Sequence, residues 1–124
     1  MKTIIYIDDN PHAGLLFKLF LEKEGYRVKI YDNTDRARNI LEKQKIDLII
    51  TDLGLPGEDG LSFYKWLQSS DYHEIPVLIA SGHAFGVDNE LSRLKDIFVE
   101  KPILFPKLVE RIRKIFDGES SPHS

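Results

Sequence analysis

Apolar residues in this chain gather into five short runs, and between the runs they recur at three- and four-residue intervals. A short continuous or alternating run is the mark of a strand, and the wider spacing marks one face of a helix. Thr3 to Ile7 is the first run. Asn10 and Pro11 follow as a helix cap and a first helical residue, and Ala13, Leu16, Phe17, Phe20 and Leu21 form an apolar face ending at Gly25. Arg27 to Tyr31 is the second run, and Thr34 can cap a helix carrying Ala37, Ile40 and Leu41. Residues 46–51 are nearly continuous apolar, as expected for a parallel strand covered on both sides. Pro56, Gly57 and Gly60 mark a loop, and a helix follows through Phe63, Trp66 and Leu67, with Trp66 placed in the core and His12 at the surface. Pro76 opens a fourth strand over 77–80, Leu91 and Leu94 belong to a fourth helix, 97–99 form a fifth strand and 108–116 a last helix.

Strands alternating with helices imply right-handed crossovers and a parallel sheet. Five such units predict an α/β three-layer sandwich of the doubly wound kind, with strand order 2-1-3-4-5 carried over from known folds of that type. A length of 124 residues suits one domain, read as 1–117 with a polar tail at 118–124. Sheets of this kind bind ligands outside the carboxyl ends of their strands. That rim is where chemistry is to be sought.

Composition narrows the classes. A hydrophobic share of 42% can build a core, and a net charge of −3 predicts no general attraction to nucleic acid or to anionic membranes. The chain has no cysteine, so disulfides, thiolate chemistry and Cys-based metal sites are excluded. The first apolar run meets Asp8 and Asp9 at once, too soon for a signal peptide, and no run approaches the roughly 20 residues that cross a bilayer. The chain reads as soluble and cytoplasmic. Gly54, Gly57 and Gly60 lie in a turn-rich loop but match neither phosphate-loop pattern.

Polar residues stand where each strand runs out: Asp8 and Asp9 after the first, Asp52 after the third, Ser81 after the fourth, Lys101 after the fifth. Taken singly, each has an ordinary reading as a cap, a turn former or a solvated charge. Three carboxylates gathered at one edge are not ordinary. Like charges about 4 Å apart repel by roughly 4 kcal/mol at an effective dielectric near 20, so the cluster calls for a cation. Oxygen ligands without cysteine favour a hard ion, Mg²⁺ above all, which keeps several waters and shares itself with phosphates. Lys101 offers a compact positive charge to a phosphate oxygen, Ser81 a hydroxyl donor, and Asp52 a carboxylate nucleophile. The set predicts a phosphoryl-transfer site.

These residues resemble the receiver domain of two-component response regulators, over nearly the whole chain. The resemblance rests on the acidic pair in YIDDN, the acceptor strand in LIITDLGLPGEDG, the strand end IASGH, and FVEKP, in that order. It implies a flavodoxin-like sandwich in which Asp52 receives a phosphoryl group from a sensor histidine kinase, a phosphotransfer protein or a small donor. It further implies Mg²⁺ held by Asp9 and Asp52, by Asp8 through water, and by the backbone carbonyl of Gly54. Lys101 and Ser81 would contact the phosphoryl group, and Phe98 falls at the family's switch aromatic, turning inward as Ser81 moves. The readout would be the surface of the fourth helix, fifth strand and last helix, which could also pair two copies, and autodephosphorylation would reset it.

Three features depart from the family's pattern. Lys101 follows Ser81 by only 20 positions, so the connection between them is short. Phe98 lacks the hydroxyl of a tyrosine, so any switch there rests on packing. Third, the apolar run Ile103-Leu104-Phe105 precedes Pro106 where the family often has a polar helix cap; Ile103 and one neighbour are expected in the core, and an exposed Leu104 or Phe105 would serve a dimer or partner surface. His83 reads as a solvated loop residue or a modulator of hydrolysis. The rival functions are a phosphorylation-independent binding module of the same fold, a phosphatase with an aspartate nucleophile, and a flavin-binding domain. Gly54, standing two residues after Asp52, leaves the phosphatase without its second carboxylate.

Overall fold

The computed structural model describes residues 1–82 and 95–120. Five strands, β1 (Thr3–Ile7), β2 (Arg27–Tyr31), β3 (Leu48–Asp52), β4 (Val77–Ser81) and β5 (Phe98–Glu100), form one parallel sheet in the order β2-β1-β3-β4-β5. The register pairs Ile7 with Thr51, Asp52 with Ala80 and Ser81 with Glu100, so the carboxyl ends of four strands come out at one rim. The predicted topology holds.

Capping chemistry sets where the helices begin. α1 (Pro11–Lys23) starts from Asn10, whose side-chain oxygen accepts from the N–H groups of His12 at 2.9 Å and Ala13 at 3.4 Å. The chain turns out of α1 at Gly25, which takes a φ of 96° that other residues resist. α2 (Thr34–Leu41) is capped by Asn33, not by Thr34: Asn33 accepts from the Arg36 N–H at 3.0 Å. The amide outcompetes the hydroxyl because Thr34 is turned toward Glu58 instead, donating to it at 2.6 Å. α3 (Gly60–Gln68) is capped by Asp59, which accepts from Ser62 at 2.7 Å.

The sheet buries a different set on each side, as a period of two dictates. Ile4, Tyr6, Leu48, Ile50, Leu78 and Val99 pack under α1 and the C-terminal helix (Phe105–Ser120). Ile5, Ile7, Ile49, Ile79 and Phe98 pack under α2 and α3. A 3₁₀ turn (Lys95–Ile97) leads into β5, and Arg111 of the C-terminal helix donates to the carbonyls of Asp96 and Phe98.

Several expectations shift in detail. The buried stripe of α1 is Gly14, Phe17 and Leu21, whereas Leu16 and Phe20 are 49% and 39% exposed. The cause is a close approach: a Cβ on Gly14 would lie 2.7 Å from the Ile30 side chain, so α1 rests on β2 through that glycine. Trp66 sits at the edge of the core, half-buried beside Phe63. The third and fifth strands begin and end later than expected. The last helix runs through Ser120, because polar residues prolong a helix whose apolar face ends at Phe116 without any cost of burial. The expected fourth helix with Leu91 and Leu94, and His83, lie outside the described residues. Among the described residues no helix is long and apolar enough to cross a membrane.

Candidate functional site

Four strand ends deliver the predicted side chains to one rim. Asp52 is the last residue of β3 and Ser81 the last of β4, while Asp8 and Asp9 directly follow β1 and Lys101 follows β5. Lys101 Nζ lies 2.5 Å from Asp52 Oδ1, an ion pair between residues 49 positions apart. One carboxylate oxygen from each of Asp8, Asp9 and Asp52 falls within 4.8 Å of the others. Asp8 and Asp52 are buried and Asp9 is exposed. Paired or not, three negative groups against one lysine leave the rim with excess negative charge.

The Asp52–Lys101 pair lines two clefts. The larger, of about 430 Å³, also takes in Asp8, Asp9 and Tyr6 and is walled by Ala13, Phe17, Ile103 and Phe105. The smaller, of about 220 Å³, is lined on its other side by Leu53, Gly54, Ser81 and Gly82. The predicted metal-ligating acids thus share one cleft, and the predicted phosphate-contacting Ser81 shares the other with Gly54. A Cβ built on Gly54 would stand 4.0 Å from Asp52 Oδ2, so this glycine flanks the carboxylate oxygen that Lys101 does not hold.

Tight packing fixes the depth of Asp52. Gly60, the first residue of α3, leaves no room for a side chain: a Cβ there would come within 2.5 Å of the Asp52 carbonyl oxygen. The Gly60 N–H in turn donates to the Leu53 carbonyl at 2.9 Å.

Asp8 is held by two donors. The Tyr6 hydroxyl donates to Oδ2 at 2.6 Å and the Asn10 N–H donates to Oδ1 at 2.9 Å. Burial pushes the Tyr6 phenol well above its ordinary pKa, and its hydrogen bond to Asp8 and the charges of Asp8 and Asp52 push it further. The phenol therefore stays protonated and donates. Tyr6 and Asn10 did not stand out in the sequence as site residues. The signal was present, since Tyr6 stands two residues before Asp8 and a strand places such residues on one side.

Phe98 lies outside both clefts and already points inward, 3% exposed among the residues under α2 and α3. The reason is parity: in β5 the residues on the Lys101 side are Val99 and Lys101, and Phe98 faces the opposite layer. In the apolar run, Ile103 and Phe105 pack against the core and Leu104 is 56% exposed.

The donor set fits a hard divalent cation: carboxylate oxygens in mutual reach, with neither sulfur nor imidazole in the cluster.

Residues 4–113 match the model of the response regulator receiver domain. The chain belongs to that family, the receiver domains of two-component response regulators. It is 30% identical over 115 residues to the polar-differentiation response regulator DivK of Brucella anthropi, covering 90% of this chain and 94% of DivK. To the response regulator GtcR of Aneurinibacillus migulanus it is 36% identical over 115 residues, 90% of this chain but 46% of GtcR. Among solved structures, a response regulator receiver protein from Pseudomonas putida superposes with a TM-score of 0.81 at 28% identity, over 91% of this chain and 96% of that one. Membership carries a phosphoacceptor signalling role and implies a histidine kinase or other phosphodonor as partner.

Proposed function

We propose that Asp52 is the phosphoacceptor of a two-component phosphorelay, taking its phosphoryl group from a sensor histidine kinase, a phosphotransfer protein or a small donor. The observation that carries this reading is the Asp52–Lys101 ion pair at 2.5 Å, set among carboxylates that crowd to within 4.8 Å. Asp8, Asp9, Asp52 and the Gly54 carbonyl would hold Mg²⁺. Bound there, the ion would neutralise charge on the transferring group. An oxygen of Asp52 attacks phosphorus, the donor's bond to phosphorus breaks, and an acyl phosphate remains on the side chain. Lys101 then has a phosphoryl oxygen as partner beside the carboxylate it now holds. Ser81, which lines the smaller cleft, moves its hydroxyl toward the same group. Hydrolysis of the acyl phosphate returns Asp52 to a carboxylate and resets the domain.

The phosphoryl group adds about −1.5 to −2 charges and biases a two-state equilibrium through contacts present in only one state. We place the readout on β5 and the C-terminal helix, where an exposed Leu104 suits a homodimer or an output partner. Residues 1–117 form the receiver unit in this reading, and the cytoplasm supplies both Mg²⁺ and donor. A binding module independent of phosphorylation has no use for a complete acidic rim with its lysine.

The decisive test is mass spectrometry after incubation with Mg²⁺ and acetyl phosphate. The chain should gain one phosphate, and Asp52→Asn should gain none. Labelling that persists in Asp52→Asn, or never occurs with any donor, refutes the assignment. Sedimentation with and without a phosphoryl mimic tests the dimer, which fails if both samples are monomeric.

A further inference from the structure

Tyr6 is an unusual occupant of a central strand. It is 1% exposed, flanked by Ile5 and Ile7, in a layer whose other buried members are aliphatic side chains and phenylalanine. Its ring stacks on Phe17 with centroids 3.8 Å apart and planes 9° off parallel, so the phenol cannot swing. A phenylalanine would fill the same volume. What the tyrosine adds is one hydroxyl, and that hydroxyl points at Asp8 Oδ2 from 2.6 Å.

We propose that Tyr6 is a positioning residue for the divalent-cation site, fixing Asp8 in the orientation that keeps its carboxylate with Asp9 and Asp52. This rests on the reading of the rim as a Mg²⁺ site. Two rigid donors, one on each oxygen, fix both the rotation and the plane of the Asp8 carboxylate. Without the hydroxyl only the Asn10 N–H remains. A carboxylate held at one oxygen can turn away from its like-charged neighbours, and that rotation must then be reversed each time a cation binds. The donor also withdraws some charge from Asp8, which weakens it as a ligand. Orientation outweighs that loss, because groups that hold metal ligands in place commonly change affinity 10- to 100-fold when removed.

A buried tyrosine hydroxyl must find some acceptor, and mere satisfaction of that need would also produce a hydrogen bond. The two roles separate experimentally. Calorimetric titration of Mg²⁺ into the full chain is compared for wild type, Tyr6→Phe and Phe17→Leu, with thermal melting of each in EDTA. Tyr6→Phe should melt close to wild type in EDTA yet bind Mg²⁺ about tenfold more weakly. Phe17→Leu, which removes the stacking partner and leaves the hydroxyl, should melt lower and bind Mg²⁺ within about twofold of wild type. Unchanged affinity in Tyr6→Phe overturns the proposal. So does a parallel loss of affinity in both variants, or loss of cooperative melting in Tyr6→Phe, since either makes the hydroxyl a packing element. If wild type itself takes up no Mg²⁺, the reading of the rim as a cation site falls first, and this proposal with it.

Discussion

The two sides of the sheet bury comparable cores but present opposite exteriors. Over α2 and α3 the outer layer is sealed by polar contacts. Arg38 donates to Glu58 at 2.8 Å while its guanidinium lies 4.5 Å from the Trp66 ring and 5.2 Å from that of Phe63. Thr34 reaches the same Glu58. Over α1 and the C-terminal helix, Leu15, Leu16, Leu19, Phe20 and Leu104 all face water. Among the described residues, every large exposed apolar side chain except Met1 is on that side. Core packing accounts for the first exterior and not for the second. Tyr6, Val99 and the other residues of the layer under α1 belong to the open side, and the larger cleft is walled from it.

Mutations can break this contrast. Phe63→Ala should have the largest effect, about 3–5 kcal/mol, because the ring is fully buried beneath the sealed side. Urea unfolding in EDTA measures it, and a loss under about 1 kcal/mol would mean that the α2–α3 layer is not close-packed. Arg38→Met should cost about 1 kcal/mol by the same assay, since it removes the Glu58 pair and the cation–π contacts but acts at a side chain still 23% exposed. Leu19→Lys on the open side should stay within about 0.5 kcal/mol of wild type, because that side chain is 62% exposed. A larger loss would show that the outward leucines have a partner within the fold.

The smallest expected effect concerns Tyr26, which packs near Phe116 beside the open layer with ring centroids 5.5 Å apart. Burial raises its phenol pKa in the folded state, with Arg113 opposing. The folded chain therefore holds that proton more tightly than the unfolded chain does. The resulting stability is whole below the ordinary value near 10 and drains away as the pH rises beyond it. Tyr26→Phe should flatten that alkaline decline slightly in pH-dependent melts.

Element order, strand parity and the convergent rim were legible because each follows from local spacing together with the rules of parallel sheets. Asp52 and Lys101 could be placed together because the strand order makes neighbours of β3, β4 and β5. What stayed hidden depended on contacts between distant segments. The exposure of Leu16 and Phe20 follows from how closely Gly14 meets Ile30, a distance no helical periodicity contains. Asn33 took the cap from Thr34 because Glu58, in another loop, claimed the hydroxyl. Phe98 was assigned from a family position, and the alternation of its own strand adds that it lies in the layer under α2 and α3, beside Ile79 of β4. Tyr6 was overlooked for the opposite reason: an apolar run disguises the single polar atom within it.

The contact between Gly60 and the Asp52 carbonyl bears on how such a site can be engineered. A side chain at position 60 would have to lift the start of α3 or displace the backbone of Asp52. The five residues preceding it are constrained in other ways: Leu55 is buried in the core, Gly57 takes a φ of 84° that other residues resist, Glu58 holds Arg38 and Thr34, and Asp59 caps α3. Redesign of the loop after β3 is therefore confined to exposed positions such as Pro56, and the last step before the helix must keep the smallest residue available. A library that randomises all of these positions alike will mostly recover variants selected at several of them at once.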